Sequence, residues 1–490
     1  MRTGVFWCPA AILFLADDAV MDSRRATLSS RRLSIAIGAA VIAALALPGG
    51  AARAAPNSIQ SPHPDSFYLA RGINPHPARL ARPDVQPLSA MAQLGRKLFY
   101  DANLSGSGKL SCSSCHDPSR AYGPPGAASV VMGGSDMHAA GFRAVPSLRY
   151  LYRQPNFAIA PDPSGDNDSA LTLQQQAVKA GQQVRVLKSA AQPQAAATNL
   201  VPQGGLFWDG RVNTLQQQAS GPLFNPAEMA ASTPEAVAKQ IENADYAADF
   251  RALFGANIFR NTSLLMAEAM FAIGRYQFED QSFHPFSSKY DAWLEGKARL
   301  TPAEMRGYLA FDDPARGNCA ACHLDKPAAN GLPPLFTDFQ YEALGVPRNA
   351  AIPANRDSTY YDLGICGPYR TDMKDQVQFC GMFLTPSLRN SATRKVFFHN
   401  GEFHTLEEVL DWYVNRDLQP ERFYSKDASG AVVKYDDIPE KYRANADVAD
   451  APFNRKPGDQ PALDKQEIAD IIAFLGTLTD DYKSGAGGSK

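Results

Sequence analysis

Two short runs in this chain set thiols and an imidazole at the same spacing: Cys112-Ser113-Ser114-Cys115-His116 and Cys319-Ala320-Ala321-Cys322-His323. In C-x-x-C-H, each thiol can bond one vinyl group of a porphyrin while the adjacent His gives its iron an axial nitrogen. A zinc ribbon also pairs C-x-x-C motifs, but normally only about 15–20 residues apart, and here roughly two hundred intervene. A redox dithiol would leave the two His unexplained. Two covalently attached c-type haems are therefore expected, on Cys112, Cys115, Cys319 and Cys322, with His116 and His323 as iron ligands. Of the seven Cys, Cys8 lies near the start, which leaves Cys366 and Cys380. An oxidising compartment makes a disulfide between them the default. What each iron does depends on its second axial position. An open one binds peroxide or dioxygen, and a filled one favours electron transfer. Six of the eight His remain after the two motifs, and spacing alone assigns none of them.

Further residues narrow the chemistry. Leu206-Phe207-Trp208-Asp209-Gly210-Arg211 begins a segment that runs through Gln218, Gly221-Pro222 and Glu228-Met229. Later come Val396-Phe397-Phe398-His399-Asn400-Gly401 and Thr405-Leu406-Glu407. With the two haem motifs, and in this order, they resemble the bacterial dihaem cytochrome c peroxidase and MauG superfamily from about residue 88 to 480. The resemblance implies that the first haem, on His116, reacts with hydrogen peroxide. It makes Glu228 the distal acid–base group, Gln218 an amide that orients peroxide, and Trp208 the aromatic between the haems. At the second haem, ordinary members place Met fourteen residues after the His of the Phe-His-x-Gly motif. Here that residue is Tyr413, which points to the MauG-like branch, with Met382 as the alternative ligand. Thioether favours ferrous iron and phenolate favours ferric iron. The resemblance also implies a calcium ion between the haems, but Ala144 stands at its Asn position, leaving carbonyls near Arg394 and Val396. His138 lies near a loop whose His plugs the resting site in some relatives. The expected function is a dihaem c-type peroxidase, drawing electrons through the second haem from a donor that the sequence does not identify. The alternatives are an ordinary cytochrome c peroxidase using a small cytochrome, a non-enzymatic dihaem electron carrier, and a dihaem oxygenase of the rubber-cleaving type.

The elements that must hold these groups read as helical. Leu88, Met91, Leu94 and Leu98-Phe99 recur at helical spacing. Further helical patterns cover 232–255 and 262–280. Thr301-Pro302-Ala303-Glu304 is a helix start with a capping box, and an apolar face runs from Asp464 to Thr479. Residues 119–170, dense in Gly, Pro, Ser and Asp, predict long loops. Strand patterns are few, and the halves echo each other, each with a helix, a Cys-pair motif, loops and an apolar helix. The expected fold is all-α: two cytochrome c-like haem domains with long loops, at 55–285 (peroxidatic) and 286–482 (electron transfer), and a flexible tail at 483–490. Residues 1–54 read as a leader. Arg31-Arg32, an apolar run from Leu33 to Leu47, then Ala52-Arg53-Ala54 give the order of a secretory signal, implying a periplasmic protein with no membrane span in the mature chain. Forty-eight basic residues against fifty acidic ones imply no nucleic-acid partner.

Overall fold

The computed structural model describes residues 65–161 and 200–483. The leader and the 484–490 stretch of the predicted tail lie outside them. Helices are the main regular elements, joined by long loops. Among the described residues strands form three two-stranded antiparallel pairs: Met132–Gly133 with Ala139–Ala140, Ala158–Pro161 with Leu200–Gln203, and Tyr341–Glu342 with Phe383–Leu384. The fold is thus mostly helical with a few short strands.

Each half is built on two crossing helices. In the first, Ala90–Tyr100, capped by Ser89 accepting from the Ala92 N–H, crosses Thr262–Glu279. In the second, Pro302–Asp312, with the predicted Thr301–Glu304 capping box, crosses Lys465–Gly476. A glycine sits at each crossing. A β-carbon on Gly95 would lie 1.8 Å from the Ala272 carbonyl oxygen, and one on Gly307 would lie 1.9 Å from that of Asp470. Only glycine lets the backbones approach so closely. Around the first crossing packs a core of Leu94, Leu98, Phe99, Phe250, Ile273 and Phe283. Around the second packs one of Tyr290, Met305, Phe311, Phe336, Ile471 and Phe474.

One predicted helix is broken. The 232–255 pattern folds as Pro234–Asn243 and Ala247–Phe254, with Ala244 extended between them. Tyr246 is buried there, and its hydroxyl donates to Asp101. That contact redirects the chain although the apolar pattern continues. The 281–290 stretch carries a short 3-10 turn, Gln281–Phe283, and then the start of the Lys289–Leu294 helix. Cys366 and Cys380 form a disulfide with their Cα atoms 5.0 Å apart. Among the described residues no helix is long and apolar enough to cross a membrane.

Candidate haem pockets

Cys112–Cys115 is a single helical turn with His116 capping its end; Cys319–Ala321 is a 3-10 turn that places Cys322 and His323 alike. Both imidazoles are held from behind. His116 Nδ1 lies 3.1 Å from the Tyr122 carbonyl, and His323 Nδ1 lies 2.8 Å from that of Phe336. Nδ1 must carry the proton to donate to a carbonyl, so Nε2 keeps its lone pair for iron. Burial pushes both imidazoles down to about 4, in the neutral form that a metal requires.

The same frame is built twice. Pro146-Ser147-Leu148-Arg149 recurs as Pro386-Ser387-Leu388-Arg389. Ser147 Oγ donates to the Ala121 carbonyl and Ser387 Oγ to that of Leu335. The Leu148 and Leu388 amides donate to the carbonyls that receive His116 and His323. A second repeat surrounds Trp208 and His399. The Leu206 amide donates to the Val212 carbonyl as that of Phe397 does to Phe403. Phe207 and Phe398 have φ of 67° and 62°, and Thr214 and Thr405 cap the helices Leu215–Phe224 and Leu406–Asn415. At this one constant offset, Trp208 matches His399 and Pro222 matches Tyr413. The halves are tied reciprocally: the Ala144 amide donates to the His399 carbonyl and the Leu384 amide to that of Trp208.

Two cavities follow. The first, of about 840 Å³ including its mouth, is lined by Cys115, His116, Trp208, Gln218, Pro222 and Glu228, along with Arg211 and Asn225. The second, of about 1660 Å³, is lined by Cys319, Cys322, His323, Trp208, His399 and Tyr413. The predicted residues therefore separate into two groups, and Trp208 borders both cavities. Its Nε1 donates to the Ala144 carbonyl at 2.9 Å, which fixes the indole in the dividing wall. Met382 and His138 border neither cavity; Met382 packs instead against the disulfide cluster. Paired thiols, a neutral imidazole and a largely apolar wall fit a covalently held haem in each cavity.

In the first cavity, Asn225 Nδ2 donates to Glu228 Oε1 at 2.6 Å. Burial raises the Glu228 carboxyl above its ordinary range, against the pull of Arg211 and Asn225. Gln218 is buried. Asp209, fully buried, holds Arg143 at 2.8 Å and Arg211 at 3.0 Å, so its place in the motif is to position two guanidinium groups. In the second cavity, burial raises the Tyr413 phenol, with the Cys322 and Cys319 thiols as further contributors. A bound ferric ion would oppose that effect, since a coordinated acid loses its proton readily.

Calcium does not fit. Ala144 offers no side-chain oxygen, and the Arg394 guanidinium takes the nearby carbonyls, Nε donating to Val396 at 3.1 Å and Nη2 to Val145 at 3.0 Å. Burial brings this guanidinium down to about 10. Among the described residues no group of three or more His, Cys, Asp or Glu side chains is arranged to hold a metal ion. Asn225 and the hold of the Arg394 guanidinium on these carbonyls are features that the sequence reading missed, and the internal repeat, expected only as an echo between the halves, is more detailed than that reading gave. The repeated Pro-Ser-Leu-Arg was the available signal for that detail.

A mostly helical chain with two pockets, each set with the thiols and imidazole of a c-type haem site, defines a dihaem protein. The model of the family described as di-haem cytochrome c peroxidase matches residues 89–299. The methylamine utilization protein MauG of Paracoccus denitrificans is 31% identical over 398 residues, 80% of this chain and 89% of that protein. The cytochrome c551 peroxidase of Nitrosomonas europaea is 28% identical, covering 72% of this chain and 83% of its own. The crystal structure of the diheme peroxidase BthA from Burkholderia thailandensis superposes with a TM-score of 0.68 at 34% identity, covering 84% of this chain and 91% of that one. The chain belongs to the dihaem cytochrome c peroxidase and MauG superfamily, and it is a peroxidase, an oxidoreductase.

Proposed function

We propose that this protein reduces hydrogen peroxide in the first pocket, where the position across from His116 is open, and that Tyr413 fills the equivalent position in the second. The observation that carries this is the matched pair Pro222 and Tyr413. At the constant offset of the repeated frame each lines its own cavity, but proline has no side-chain donor and tyrosine has a phenol oxygen. When bound, the two haems, each joined through its C-x-x-C-H thiols, supply iron that exchanges electrons with peroxide and with a donor. Glu228 takes a proton from the near oxygen of peroxide and returns it to the far oxygen as that departs, which its raised affinity for protons suits. Gln218 orients the peroxide, and Arg211 offsets negative charge as the O–O bond breaks. Trp208 connects the pockets. On this reading 55–285 and 286–482 are the two haem domains, the leader exports the chain to the periplasm, and an external redox protein or oxidisable protein supplies electrons.

Tyr413→Met tests the assignment. A phenolate ligand keeps the second haem at low potential, and thioether raises it. A spectroelectrochemical titration of both proteins is expected to show the second haem shifted upward in the variant. Superimposable curves would remove Tyr413 as a ligand and leave an ordinary cytochrome c peroxidase as the better reading.

A further inference from the structure

Behind His116 lies a line of phenols that packing alone does not require. The Tyr122 carbonyl receives His116 Nδ1, and the Tyr122 ring, 2% exposed, stacks on Phe283 at 3.9 Å. Tyr276, also 2% exposed, packs its ring on the same Phe283 at 5.2 Å, and its hydroxyl is coupled electrostatically to those of Tyr122 and Tyr100. The Tyr100 and Tyr276 ring centroids are 6.5 Å apart, and Tyr100 is 43% exposed at the end of the Ala90–Tyr100 helix. Phenylalanine would fill the same apolar core without the cost of burying hydroxyls. Instead three phenols lead from the residue whose backbone carbonyl holds His116 to the surface.

The inner end also has an exit for a proton. Tyr122 Oη lies 2.6 Å from Ser282 Oγ, and Ser282 Oγ donates to Asp280 Oδ1 at 2.6 Å. Because the serine proton is spent on the carboxylate, Tyr122 must be the donor to Ser282. A phenol gives up an electron readily only when its proton leaves as well. Tyr122 therefore has what a buried redox tyrosine needs, and the other two phenols can pass on hydrogen atoms through their contacts.

We infer that Tyr100, Tyr276 and Tyr122 form a hole-transfer chain by which this enzyme oxidises a small phenolic donor at its surface, separately from the route through Trp208. The inference rests on the peroxide reading above, since peroxide supplies the oxidising equivalents. One electron leaves Tyr122 inward as its proton passes through Ser282 to Asp280. A hydrogen atom then moves from Tyr276 to Tyr122, and another from Tyr100 to Tyr276. The net result is one electron delivered to the first haem site, one proton on Asp280 and a neutral phenoxyl radical on Tyr100. That radical takes a hydrogen atom from the donor.

The test treats the dihaem protein with hydrogen peroxide in the presence of the spin trap 2-methyl-2-nitrosopropane, records the haem absorbance, and maps the adduct by peptide mass spectrometry. The expected adduct is on Tyr100, lost in Tyr276→Phe and in Tyr100→Phe, while the absorbance change persists in both. Tyr100→Phe alters a half-exposed side chain and keeps the ring, so its folding is not in question. Oxidation of 2,6-dimethoxyphenol should slow in both variants. A Tyr100 adduct undiminished in Tyr276→Phe, or a wild type whose haems respond to peroxide with no Tyr100 adduct, overturns the chain alone. No absorbance change at all overturns the peroxide reading, and this inference with it.

Discussion

Glu228→Gln isolates the proton-transfer step from the rest of the first pocket. The amide keeps the size of the side chain, and its oxygen can still accept from Asn225 Nδ2, which lies 2.6 Å from the Glu228 carboxylate. Loss of general acid–base catalysis is then the main change. Such groups contribute about 10²–10⁴-fold, or about 3–6 kcal/mol of barrier at about 1.4 kcal/mol per tenfold. The pH dependence follows from the pocket. Burial sets the Glu228 carboxyl above its ordinary 4.5, and only the deprotonated form can accept the peroxide proton. The wild-type rate should therefore fall as pH drops through that raised value, about tenfold per pH unit beyond it, while the variant rate stays flat. The assay is stopped-flow absorbance with excess hydrogen peroxide and no added electron donor, across the acid and neutral range. A variant with the wild-type rate and the wild-type acid limb would refute the assignment.

Two further outcomes test the frame. Asp291 and Arg389, each with a side chain about 1% exposed, are bonded at 2.7 and 2.9 Å, and Arg389→Met should cost about 3–5 kcal/mol in urea unfolding by leaving a buried carboxylate unpaired. Arg389 holds the Asp291 carboxyl below its ordinary 3.8, so this contribution should be complete above the unfolded-state value and disappear as pH falls through the lower, folded one; an Arg389→Met variant as stable as wild type would show that the pair carries no weight. Because Arg394 holds the Val145 and Val396 carbonyls, the purified protein should contain no stoichiometric calcium by elemental analysis and keep its peroxide rate after EGTA treatment. One calcium per chain, or inactivation reversed by added calcium, would refute that account.

Chemistry that demands adjacent residues was legible in the sequence. C-x-x-C-H is confined to five positions by the size of one porphyrin, so His116 and His323 stood out unaided. Resemblance then supplied Trp208, Gln218 and Glu228, and all three border the first cavity. Helix starts were equally local. The Thr301–Glu304 capping box is complete within four residues. What stayed hidden depends on distant partners. The end of the Pro234–Asn243 helix follows from Tyr246 reaching Asp101, which no local pattern encodes. Arg394 looks like an ordinary surface cation until its guanidinium is seen on a carbonyl 249 positions away.

The internal repeat was visible only as an echo because little of it survives as identity. What persists is the backbone: two phenylalanines with left-handed φ, two threonine caps and two serines on equivalent carbonyls. A frame kept twice with such fidelity makes its departures informative, since packing constrains both halves alike. Trp208 against His399 differs at the dividing wall, and Pro222 against Tyr413 differs in the lining of the two cavities. On the reading proposed here, the functional asymmetry of the two haems needs no difference in fold. Proline at one position and tyrosine at its counterpart divide the labour, leaving one iron for peroxide and giving the other a phenolate.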